Sequence, residues 1–70
     1  MKFKYDDFFH QANHEYLKYD HVLRYGQFLM NYLSENHSEI KIPAEIDCFY
    51  DNSKIPLLFK FLSEISIENF

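Results

Sequence analysis

His10 and His14 stand four residues apart, with Asp7 three residues before the first. On a helix this spacing places all three side chains on one face, where two imidazoles and a carboxylate can chelate one divalent ion. A structural zinc site takes four ligands, and the remaining candidates, His37 and Cys48, must arrive through the fold. Asp7, His10 and His14 are thus candidates for a metal-binding regulator, and the competing reading is a solvated polar face. No resident cofactor is expected. His14-Glu15 opens no His-Glu-x-x-His motif, since no second His follows at the required spacing. The single glycine, Gly26, excludes a glycine-rich phosphate loop. A Cys48–His dyad and an Asp47–Asp51 carboxylate pair are arithmetically available, but a chain this short has little room for a water-excluding pocket. The reading is a binding protein and not an enzyme.

The most distinctive polar residues are Arg24, Gln27 and Asn31, which share one ridge if the segment is helical. Two roles are open to them. They can form a structural clamp on a downstream loop, with Arg24 pairing Asp47 or Asp51 and the amides satisfying loop backbone. They can equally form a contact surface. The apolar candidates for partner contact are Leu57 and Phe61, with Tyr25, Phe28 and Tyr32 as an aromatic stripe.

These residues need elements to position them. At about 100° per residue, Tyr5, Phe8, Phe9, Ala12, Tyr16 and Tyr19 fall on one stripe, so a first helix is expected over about 6–19. Asp6 and Asp7 suit its N-terminus. Asp20 reads as the N-cap of a second helix over about 21–35, with Val22, Gly26, Leu29, Met30 and Leu33 on its apolar face. Gly26 on that face points to a close helix–helix crossing. Ile42-Pro43 marks a boundary and a short helical turn near 43–46. Residues 47–53 read as an irregular loop carrying Phe49 and Tyr50. Asn52 or Ser53 then caps a third helix over about 53–64, with Pro56 tolerated in its first turn. This helix is apolar on more than one side, so it is either central or offers Leu57 and Phe61 to a partner. The tail 65–70 fits either continued helix or a short strand. The expected fold is all-α, a compact three-helix arrangement in a single domain spanning residues 1–70.

The run Arg24-Tyr25-Gly26-Gln27, with Asn31 and Leu33 following and Asp47, Phe49-Tyr50-Asp51 downstream, resembles a recurrent type of small hypothetical protein in bacteria and their phages. That type shows Arg-x-Gly-Gln-x-x-x-Asn-x-Leu, then Asp-x-Phe-Tyr-Asp and a short apolar helix. The resemblance spans roughly residues 24 to 62. Two departures stand out: Asn52 where a second acid is usual and Cys48 where Pro is expected. The type implies no activity.

Composition bounds the function. Eight Phe and six Tyr in 70 residues supply a core that small size would otherwise limit. The single Cys rules out an internal disulfide and suits a reducing, cytoplasmic setting. A net charge of −4 disfavours nucleic acid and anionic membranes as partners and fits a basic protein surface. The start of the chain lacks the apolar stretch of a signal peptide, and no apolar run spans a bilayer. Heavy use of Phe, Tyr, Ile, Lys and Asn, with one Arg, is the bias of an AT-rich genome, common in phages and their hosts. The expected function is an acidic accessory protein of phage or mobile-element origin that binds and modulates a host protein, one concrete version being inhibition of a defence nuclease complex, as anti-CRISPR proteins do. The alternatives are a self-associating homodimer joined through Leu57 and Phe61 and the metal-binding regulator.

Overall fold

The computed structural model describes residues 2–67, and these form three helices and two short 3-10 turns with no strand among them. Helix α1 spans Tyr5–Tyr16, α2 Tyr25–Asn36 and α3 Ile55–Ile65; the 3-10 turns are Ala44–Ile46 and Asn52–Lys54. The all-α three-helix architecture and the helical turn after Pro43 stand as expected. Among the described residues, no helix is long and apolar enough to cross a membrane.

The first two helices have different limits from those the pattern suggests. Helix α1 stops at Tyr16, and residues 17–22 turn back on themselves before α2 begins at Tyr25. Asp20 is therefore not an N-cap. Arg24, in extended conformation, holds that place and offers no side-chain cap bond to the helix. Val22, expected on the apolar face of α2, lies in the turn and is 64% exposed. The cause is tertiary. Residues 17–23 contain no Gly or Pro to break a helix, but the chain must reverse so that α2 packs on α1. Tyr16 fixes the reversal by donating from its hydroxyl to the Leu23 carbonyl at 2.7 Å, while its ring packs on Tyr25 and Phe28.

The core contains Phe3, Phe8, Ala12, Phe28, Leu29, Leu33, Ile40, Cys48, Leu58 and Leu62. Seven aromatic rings, two of them the core's own Phe8 and Phe28, close a circuit: Phe59, Tyr25, Tyr16, Phe28, Tyr32, Phe8, Tyr5 and back to Phe59. Neighbouring centroids in that circuit lie 5.0–6.4 Å apart, the range in which tilted and edge-to-face pairs attract. Phe59 is the ring through which α3 meets both other helices. Of the two roles open to α3, the packing favours the central one: Leu58 and Leu62 are fully buried, and Ile55, Phe59, Phe61 and Ile65 pack on the core. The chain ends meet: Ser66 is extended and buried, its hydroxyl accepts from the Tyr5 amide at 3.0 Å, and the Ile67 amide donates to the Phe3 carbonyl at 2.9 Å. The tail therefore leaves the helical path at Ser66, and its last three residues, 68–70, lie outside the described residues.

Candidate functional site

The acidic-aromatic loop, residues 47–53, is held by hydrogen bonds from both inside and outside itself. Within it, the Asp47 carboxylate accepts from the Phe49 amide at 2.9 Å. The Asp51 carboxylate accepts from the Ser53 amide at 3.0 Å and the Ser53 hydroxyl at 2.6 Å. These are local side-chain-to-backbone turns of the kind Asp favours. The Ser53 bonds lower the Asp51 pKa below its ordinary value, because they stabilise the carboxylate form.

Three contacts tie the loop to the start of α2. Arg24 Nη2 donates to the Phe49 carbonyl at 3.0 Å. The Asn52 side-chain carbonyl accepts from the Gly26 amide at 3.0 Å. The Cys48 thiol, fully buried, lies 3.5 Å from the Gly26 carbonyl. Burial pushes the Cys48 pKa up, so it stays a protonated packing group. Gly26 permits this approach. A Cβ there would collide with the Cys48 carbonyl and come within 2.7 Å of Asn52 Oδ1. The close crossing that Gly26 implies is thus made by a loop carbonyl, not by a second helix.

Of the five expected clamp residues, Arg24 is joined to the loop, but through a carbonyl. Neither Asp47 nor Asp51 forms an ion pair among the described residues, and each serves its own turn instead. Gln27 and Asn31 make no hydrogen bond to the loop among the described residues. On α2, Asn31 lies about 140° around the axis from Gly26, which faces the loop. Arg24 reaches because it precedes the helix and is not bound to the ridge. The contacts that sequence reasoning missed are Gly26, Cys48 and Asn52. Their available signal was Gly26 itself, a glycine on the apolar face of a helix, which marks a close approach without saying what approaches. Asn52 was expected to cap α3; it serves α2, and Asp51 caps the 3-10 turn that leads into α3.

The expected contact residues separate. Phe28 is 5% exposed and belongs to the core, and Tyr25, Tyr32 and Phe61 are half-buried against it. The Tyr25 hydroxyl donates to the Asn13 side chain, and burial raises its pKa. Leu57 is 50% exposed, alone among the large apolar residues of α3. The most exposed is Tyr50, at 85%, with its ring edge-on to Phe49 at 4.7 Å. Asp7, His10 and His14 all lie exposed on α1, and among the described residues no group of three metal-ligating side chains converges. Comparison with protein-family models, curated proteins and solved structures yields no match to this chain.

Proposed function

We propose that this chain is a small accessory protein, of phage or mobile-element origin, that binds a larger host protein and inhibits it through the Tyr50 loop. The observation that carries the reading is an aromatic side chain 85% exposed on a loop tied to α2 at Cys48, Phe49 and Asn52. Tyrosine is enriched among residues that dominate interface energetics, and a braced loop loses little entropy on docking. The bracing uses residues that a merely solvated loop does not need.

Glu45, Asp47 and Asp51 are exposed in the same stretch of chain as this tyrosine, outnumbering its cations, half-buried Lys54 and the Arg24 guanidinium held on the Phe49 carbonyl. With the net charge of −4, they select a partner with a basic surface. A defence nuclease complex has such a surface, because its groove must neutralise nucleic-acid phosphates.

Affinity purification from a host lysate, run in parallel with wild type and Tyr50→Ala, tests the reading. A partner held by wild type should be lost or weakened about 30-fold by Tyr50→Ala, the effect of removing an interface anchor, with unchanged helicity. Binding should also fall with added salt. A partner retained equally by both proteins would place the contact elsewhere.

A further inference from the structure

A groove of about 480 Å³ lies between the end of α1, the 17–23 turn and α2, well around α2 from the Gly26 face that holds the loop. Its lining combines the rings of Tyr19, Phe28 and Tyr32 with the polar side chains of Glu15, Glu35 and Asn31. The Tyr19 ring is stacked on Phe28 at 5.8 Å with 29° between planes, and Phe28 meets Tyr32 at 5.8 Å. Phe28 is buried beneath, so Tyr19, 39% exposed, is the ring that presents aromatic surface. Glu35 has no ion-pair partner among the described residues. Glu15 is engaged only by Lys18, an exposed contact of 3.4 Å that an incoming cation can replace.

Aromatic faces beside one unpaired and one weakly paired carboxylate make a receptor for an organic cation: the ring quadrupole attracts positive charge and the carboxylates accept its hydrogen bonds. Asn31, which makes no hydrogen bond to the loop, adds a carbonyl acceptor in the same lining. We propose that this groove binds an arginine side chain presented by another polypeptide. Arginine fits better than lysine because its planar guanidinium stacks on a ring while its edge donates to two acceptors at once. No basic side chain is part of the groove's lining, and the one cation that competes for it is exposed Lys18, through its 3.4 Å contact with Glu15. The site lies on a different face from Tyr50 and stands whether or not the Tyr50 loop is a contact.

The test uses the intact protein and Nα-acetyl-L-arginine amide, followed by NMR shifts of the Tyr19 and Asn31 signals. The neutral isostere Nα-acetyl-L-citrulline amide is the control. The arginine probe should bind and the citrulline probe should not. Glu35→Gln should weaken binding about three- to fivefold, the scale of one exposed charge pair. Tyr19→Leu, which keeps apolar bulk but removes the ring, should weaken it similarly. Both positions are exposed, and a thermal melt verifies that each variant folds. Equal binding of arginine and citrulline probes, or no loss in either variant, would overturn the assignment. Tighter binding of free L-arginine than of the blocked amide would overturn the polypeptide source.

Discussion

Gly26 and Asn52 show how much one atom decides in a chain of this size. Gly26 is unfavourable in a helix by about 1 kcal/mol relative to Ala, yet the Cys48 carbonyl occupies the space a methyl group would need. Backbone gives way less readily than a flexible side chain, and overpacking costs about 1–3 kcal/mol. Gly26→Ala should therefore lose up to about 2 kcal/mol net, lowering Tm by as much as about 15 °C in a circular-dichroism melt. A rise in Tm would mean the loop is free to move off. Asn52→Ala leaves the Gly26 amide without its acceptor and should cost about 1 kcal/mol, the size of a lost helix cap. Asn52→Asp should retain stability near neutral pH, because a carboxylate accepts the same bond at the positive end of α2. A Tm for Asn52→Asp as low as for Asn52→Ala would show that the acceptor is not what matters.

At the scale of the elements, the caps come from far along the chain. The first amide of α1 is met by Ser66, 61 residues away, and that of Gly26 in the first turn of α2 by Asn52, 26 residues away. Neither N-cap residue, Lys4 or Arg24, contributes its own side chain. The orphan donors of a helix start must be met, and here tertiary neighbours meet them. Helix α3 illustrates the same dependence. Its pattern leaves Leu57 and Phe61 as equal candidates for exposure, but packing places Phe61 against the core and leaves Leu57 half exposed. Leu57→Glu should change unfolding free energy by no more than about 0.5 kcal/mol. Phe61→Glu, which buries a carboxylate beside apolar groups, should cost about 2 kcal/mol or more. Urea unfolding of the two variants measures the difference, and equal midpoints would contradict the packing described for Phe61.

Across the whole molecule, acid-base behaviour follows from the aromatic core. Burial is the largest cause raising the Cys48 thiol and the Tyr5 and Tyr25 phenols above their ordinary values of 9.0 and 10.0. The unfolded chain releases these protons first as pH rises. Their contribution to stability is complete below the unfolded values and is lost as pH climbs through the folded ones. Tm should hold steady near neutrality and fall progressively from about pH 9 upward. Cys48→Ala should remove the earliest part of that fall, at the cost of lost packing. A Tm independent of pH across this range would show that these groups are not desolvated.

The apolar stripe of α1, the core face of α2, the punctuation at Pro43 and the all-α class were legible in the residues, because helical periodicity is a local property. So was the special status of Gly26 and of the acidic-aromatic segment, since residue types that strain or break a pattern are visible without a fold. The reversal at 17–23 was not legible: nothing local there forbids a helix, and the Tyr16–Leu23 bond that fixes the turn depends on α2 being in place. Phe3 gave no periodic signal and is nonetheless buried. Which oxygen caps which helix, which side of α3 faces water, and the meeting of Glu15, Tyr19 and Glu35 at one groove were decided by tertiary structure alone. Each depends on the relative placement of segments far apart in sequence, and local propensity carries no information about that placement.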